Sequence, residues 1–201
     1  MKIKVIPLGL YAANCYILID ENTKDASIID PGGDAKLLIK EVEKLEVNPK
    51  YILLTHGHMD HVGAVNDVKE KYNIPVYINL KDKKMMNEGQ DVFGATWKGT
   101  SEDTEINEGD ILTLGSLEIK CIETPGHTPG GMCFIVRNVV FTGDTLFEGS
   151  IGRTDFVGGD YNALIKNIKE KLMILPEDTI VLPGHGPKSN IGYEKRSNPF
   201  L

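Results

Sequence analysis

No stretch of this chain is apolar for long enough to span a bilayer, and nowhere does it carry a Lys/Arg-rich block. The first lack leaves no membrane-spanning helix to expect, and so no membrane partner. The second, with a net charge of -7, argues against a nucleic-acid partner, because phosphate binding rests on clustered cations. Cysteine is also scarce. Cys15, Cys121 and Cys133 each sit inside an apolar, strand-like segment, without metal-ligand spacing. An odd set of this kind reads as buried thiols in a reducing compartment, so the cytoplasmic location is expected. The opening residues lack the pattern of a signal peptide, since their short apolar run is broken by Pro7 and Gly9. Repeats and low-complexity tracts are missing too.

What remains is a chain of 201 residues, 41% hydrophobic, which suits one domain spanning 1–201 with a sizeable core. Short β-branched or apolar runs at Lys2–Pro7, Cys15–Ile19 and Ala26–Asp30 predict strands. The Asp30-Pro31-Gly32-Gly33 cluster stops the third. Asp34 is then placed to cap a helix from Ala35 to about Glu46, with Leu38, Val42 and Leu45 on one face. Tyr51–Leu54 predicts a buried strand, followed by a helix from about Gly63 to Tyr72 and a strand at Pro75–Ile78. A helix at Lys81–Met86 and a polar loop up to Gly99 come next. In the second half, Ile111–Leu114 and Leu117–Ile122 flank a Gly115-Ser116 turn, and Gly131–Val136 and Val139–Phe141 flank Arg137-Asn138. A helix at about Tyr161–Leu172 and a strand at Thr179–Leu182 complete the pattern, with a brief polar tail after Gly186. Strands dominate each half and helices punctuate it, which predicts two sheets with helices on their outer faces.

All five histidines sit at the ends of predicted strands, beside Gly, Pro, Asp or Thr. His56, His58 and His61 lie in His-Gly-His-Met-Asp-His, His127 in Thr-Pro-Gly-His-Thr-Pro-Gly-Gly, and His185 in Leu-Pro-Gly-His-Gly-Pro. Asp144 holds the matching place in Phe-Thr-Gly-Asp-Thr-Leu-Phe. Imidazole and carboxylate together suit Zn(II), Fe(II) or Mn(II). In the H-x-H-x-D-H turn, His56 and His58 can face one ion while Asp60 and His61 face a neighbour.

These motifs, with Asn-Cys-Tyr-Ile-Leu and Ile-Ile-Asp-Pro-Gly-Gly before them, occur in an order that resembles the metallo-β-lactamase-fold hydrolases. Within them the chain is similar to the glyoxalase II-like (hydroxyacylglutathione hydrolase-like) single-domain branch. The resemblance implies an α/β fold, the four-layer αββα sandwich, with the active site at one edge of the sheets. It also implies that His56, His58 and His127 hold a first ion, that Asp60, His61 and His185 hold a second, and that Asp144 bridges them. Two-domain members of that branch carry a helical C-terminal domain that supplies much of the glutathione site. Here the chain stops soon after His185, and no such C-terminal helical domain is expected.

The function so implied is dinuclear metal-dependent hydrolysis of a small-molecule thioester, of a 2-hydroxyacyl-thiol such as S-lactoylglutathione or a related thiol adduct. Two divalent ions, zinc first and iron or manganese next, would stand about 3.5–4 Å apart and give hydroxide near neutral pH. Asp60 is the candidate to orient that nucleophile and take its proton, or serves as ligand alone. Asp30 is placed either to accept from a ligand histidine or to cap the Pro31-Gly32 turn. Arg153 could bind a substrate carboxylate, or pair with Asp155. Phe147, Phe156 and Tyr161 could line the pocket, although core packing is the ordinary role of such side chains.

Two other readings share these residues. One is a persulfide dioxygenase on the same fold, with one iron held by His56, His127 and Asp144. Its relatives carry a run like Gly152–Phe156, but tend to a bulkier residue where this chain has Gly57. The other is a non-catalytic metal-binding module, against which the retention of every ligand argues.

Overall fold

The structure, a computed structural model, describes residues 1–88 and 103–201. The chain runs β1 (Lys2–Leu8), β2 (Ala13–Ile19), β3 (Asp25–Ile29), α1 (Ala35–Lys44), β4 (Asn48–Leu53), α2 (Met59–Val62), α3 (Val65–Tyr72), β5 (Val76–Ile78) and α4 (Leu80–Asn87). Its second half runs β6 (Thr104–Glu105), β7 (Ile111–Leu114), β8 (Leu117–Glu123), β9 (Met132–Val136), β10 (Val139–Gly143), β11 (Leu146–Phe147) and β12 (Ser150–Ile151). It ends in α5 (Tyr161–Asn167), a π-helical turn over Ile168–Leu172, β13 (Ile180–Pro183), β14 (Ser189–Asn190) and α6 (Ile191–Ser197).

Strands β1 to β6 form one sheet in sequence order, and β14-β13-β10-β9-β8-β7 form the other. Period-two alternation builds the layers. On β2, Tyr16 and Leu18 point between the sheets, while Cys15, Ile17 and Ile19 point outward to Leu38, Val42, Val65 and Val68 of α1 and α3. On β10, Val139 and Phe141 point between the sheets, and Val140 points outward to Leu164, Ile168 and Ile191. Three apolar clusters thus separate four layers. This is the αββα sandwich expected from the sequence. Both two-residue hairpins form as expected, pairing Leu114 with Leu117 and Val136 with Val139.

Several details differ from expectation, each with a local cause. Asp34 precedes α1 but does not cap it. Its carboxylate accepts the Gly9 N–H at 2.8 Å, across the β1–β2 turn. The helix expected from Gly63 to Tyr72 begins earlier and is broken, because the Ala64 N–H donates to Pro31 O rather than along the helix. The helix expected over Tyr161–Leu172 changes pitch at Ile168, where the Met173 N–H returns to Ile168 O. The tail forms β14 and α6, whose buried Ile191 and Glu194 had no apolar periodicity to announce them. The expected helix at Lys81–Met86 is α4, capped by the Asn79 side chain on the Lys81 N–H. The expected loop up to Gly99 lies largely outside the described residues. Among the described residues no helix is long and apolar enough to cross a membrane.

Candidate metal centre

Strand ends bring the site together. Strands β10 and β13 pair in parallel with Gly143 opposite Pro183, so Asp144 and His185 leave neighbouring strands on the same edge. Strands β3 and β4 pair in parallel with Ile29 opposite Leu53, which sets Asp30 beside Thr55 and the histidine turn behind it. The turn continues into α2, carrying Asp60 and His61. His127 comes from the loop between β8 and β9. Backbone hydrogen bonds join the sheets at this edge, Asn14 N–H to Gly184 O at 2.7 Å and Met132 N–H to Thr55 O at 2.8 Å.

All seven residues singled out as ligands meet here. His56, His58 and His127 offer nitrogens within 4.8 Å of one another, and so, with a carboxylate, do Asp60, His61 and His185. In the first set, His58 Nδ1 is 2.9 Å from His127 Nε2. In the second, His185 Nε2 is 3.3 Å from His61 Nε2 and 3.1 Å from Asp60 Oδ2. Asp144 lies between them, 3.5 Å from His127 Nε2, 3.5 Å from His61 Nε2 and 3.6 Å from His185 Nε2. The edge must be tight for this. A Cβ added at Gly184 would stand 2.2 Å from Asp144 Oδ1 and 2.7 Å from the His61 ring.

The donor set fits divalent ions. His56 Nε2 and Asp144 Oδ1 are buried and have no hydrogen-bond partner among the described residues. Leaving such atoms unpaired costs roughly 1–3 kcal/mol each, which a cation would recover. The opposite ring nitrogens are held from outside. His127 Nδ1 donates to Arg153 O at 2.7 Å. His61 Nδ1 donates to Asp30 Oδ2 at 3.1 Å. Thr55 Oγ1 donates to Asp30 Oδ2 at 2.6 Å, which leaves its lone pairs to accept from His56 Nδ1 at 3.0 Å. These bonds fix the tautomers and turn the free lone pairs inward. Asp30 is therefore an acceptor that braces both sets rather than a turn cap. Its own oxygens are already taken by Thr55 and His61.

Electrostatics separates the sets. Burial, and then the neighbouring imidazoles, push the His56 pKa well below 6.5 and hold His58 at about 4, so both are neutral at pH 7. His61 is equally buried, but Asp144, Asp30 and Asp60 outweigh burial and lift it to about 9. Burial opposes the charge on Asp60 too, and the His185 hydrogen bond with the charges of His61 and His185 hold its carboxyl at about 2.

A cavity of about 410 Å³ opens onto the centre, lined by His58, His127, Asp60, Asp144 and His185 on the polar side and by Phe147, Ile151 and Phe156 on the apolar side. Phe147 and Phe156 are thus pocket walls, not the core residues their type suggested. Tyr161 is neither, being half exposed on α5. Arg153 lines the cavity, with its guanidinium held by both Asp155 oxygens, at 2.8 and 2.6 Å, and stacked 3.6 Å from the Phe156 ring centre. The pairing weighed from its spacing is formed.

Some functional neighbours went unread. Asn14 Nδ2 donates to Pro183 O and Gly186 O, and the Tyr16 hydroxyl donates to Pro183 O at 2.7 Å, fastening the loop of His185. The signals were the polar Asn14 inside an otherwise apolar strand and the Asn-Cys-Tyr-Ile-Leu motif that holds it with Tyr16.

The family model described as Metallo-beta-lactamase superfamily matches residues 8–185. The chain belongs to that superfamily. Hydroxyacylglutathione hydrolase GloC of Haemophilus influenzae is 45% identical, over 100% of this chain and 98% of the relative. Among solved structures, the BLEG-1 B3 metallo-beta-lactamase superposes with a TM-score of 0.92 at 40% identity, covering 100% of this chain and 99% of that one. TTHA1623 in a di-iron-bound form gives 0.88 at 35%, covering 98% and 100%. ETHE1 from Myxococcus xanthus gives 0.84 at 28%, covering 99% and 84%.

Proposed function

We propose that this superfamily member is a dinuclear metal-dependent hydrolase that cleaves a small-molecule thioester, of a 2-hydroxyacyl thiol such as S-lactoylglutathione or a related thiol adduct. The observation that carries the reading is Asp144, within 3.6 Å of imidazole nitrogens from two otherwise complete sets. The full-length similarity to GloC supports the substrate class. His56, His58 and His127 would hold one ion, and Asp60, His61 and His185 the other, with Asp144 shared. Zinc is the proposed ion, and the likeness to a di-iron structure makes iron the first competitor, ahead of manganese. When bound, the ions would supply Lewis acidity and a water acidic enough to react near neutral pH.

The chain's own residues then have distinct tasks. Asp60, on the cavity wall and anchored to His185, orients the attacking water and takes its proton. Phe147, Ile151 and Phe156 hold the apolar part of the thioester and exclude water from it. Arg153 meets a substrate carboxylate that competes with Asp155. A thiolate leaves readily, so no separate acid is required. The three free, buried thiols, raised in pKa by burial, support a reducing and hence cytoplasmic setting for what we read as a single domain.

A second reading, oxidation of a persulfide with one iron at His56, His127 and Asp144, draws on the Gly152–Phe156 run and on the likeness to ETHE1. Gly57 speaks against it, since any Cβ there would stand 2.6 Å from Met86 Sδ. Metal-defined protein assayed on lactoyl thioesters of several thiols, on a chromogenic β-lactam and for oxygen uptake with glutathione persulfide separates the readings. Turnover of a thioester without oxygen uptake is expected. Oxygen uptake or β-lactam turnover with inert thioesters would overturn the proposal.

A further inference from the structure

Asp82 is a fully buried carboxylate on α4 to which the proposed chemistry gives no part. Its two oxygens accept backbone N–H groups from two different loops, Gly57 at 2.8 Å and Gly130 at 2.5 Å. Gly57 lies between His56 and His58, and Gly130 is three residues beyond His127. One loop leaves β4 of the first sheet, and the other joins β8 to β9 of the second. A single side chain therefore ties together the two segments that supply the all-imidazole set.

Close contact is built in at both ends. A Cβ at Gly130 would stand 2.7 Å from the Asp82 backbone N and from its Oδ1, and 2.8 Å from Asn79 Oδ1. A Cβ at Gly57 would meet Met86 one turn further along the same helix. Asn79 fixes the start of α4 by accepting the Lys81 N–H at 3.0 Å, and it donates to Ile106 O at 3.1 Å. Asp30 braces both sets, and the Asp60, His61 and His185 set has in addition Asn14 and Tyr16 rather than Asp82.

We propose that Asp82 is a positioning residue for one ion only, the one held by His56, His58 and His127, and that it acts through the Gly57 and Gly130 backbone. This rests on the metal reading of the site but not on the thioester. Carboxylate acceptors of N–H groups make charge-assisted bonds, and an Asn in this place can satisfy only one of the two donors.

The test uses full-length, zinc-loaded protein with nitrogen-15-labelled histidine, titrated with a chelator while each imidazole is followed by NMR. For Asp82→Asn, the chelator midpoint for His56, His58 and His127 is expected to fall by about 10- to 100-fold, the usual effect of losing an outer support of a metal ligand. The midpoint for His61 and His185 should move by less than about threefold, below that range. Asp82→Glu, which keeps the charge on a longer arm, should show the same selectivity if Asp82→Asn does not fold. Equal movement of both groups, movement of neither, or failure of both variants to fold would overturn the proposal. Absence of thioester turnover would leave this result intact, because ion retention is what is read. A wild type that fails to hold two ions would instead break the dinuclear reading.

Discussion

The two halves of the centre are built from similar residues yet solve different problems. The His56, His58 and His127 set is buried and all imidazole, and burial keeps His56 and His58 neutral. Two members of each set line the cavity, but the Asp60, His61 and His185 set includes a carboxylate and is the more exposed, with the His185 and Asp60 side chains 29% and 17% exposed. Its His61 is drawn toward the charged form by three carboxylates. A buried, all-imidazole set suits an ion that stays in place. A less buried, carboxylate-bearing set suits the side where substrate and water arrive. Asp30 is common to both, while Thr55 serves the first and Asn14 with Tyr16 the second.

Removing a ligand should break this comparison most sharply. His58→Ala and His185→Ala are each expected to lose one ion by elemental analysis and more than about 100-fold in turnover, beyond the effect of an outer support. Only the His185 variant should regain activity at high zinc, because its set opens to solvent. Equal rescue of both would contradict the contrast. Next in size, Asp30→Asn should weaken both ions by about 10- to 100-fold, whereas Thr55→Val should weaken only the first, by about tenfold. Competition with a graded series of chelators reads both.

A pH effect follows for the metal-free protein. His61, raised to about 9, adds stability that is complete below pH 6.5 and is lost as pH rises through 9. His58, held at about 4, acts oppositely, and its neutral burial costs stability as pH falls from 6.5 toward 4. Metal-free urea midpoints should therefore decline on both sides of pH 6.5, and zinc should flatten the profile. The smallest effect is expected for Tyr16→Phe, which loses the 2.7 Å bond to Pro183 O but keeps its ring against Phe141. Thermal unfolding should report a loss of about 1 kcal/mol.

Much of this was legible in the sequence because the information is local. Alternation on β8 gives its faces, the unbroken apolar runs of β2 and β10 mark strands covered on both sides, and the Gly-Ser and Arg-Asn pairs give the hairpins. The ligands announce themselves because most sit at Gly- or Thr-flanked strand ends, and Asp60 and His61 follow at once in the H-x-H-x-D-H run. What stayed hidden depends on partners distant in the chain. Asp34 looked like a helix cap and is taken instead by Gly9. Asp82 falls in the expected Lys81–Met86 helix, whose pattern gave it no partner, and it is buried by loops far away in sequence. Phe147 and Phe156 looked like core and line a cavity, because the β11–β12 hairpin folds over the site.

The central claim is that two ions act together on a thioester. Metal-free protein titrated with zinc under anaerobic conditions, with S-lactoylglutathione turnover followed at each addition, tests it most directly. Activity should stay low through the first equivalent and rise with the second. Full activity at one equivalent, or activity that appears only with iron and oxygen, would contradict the account.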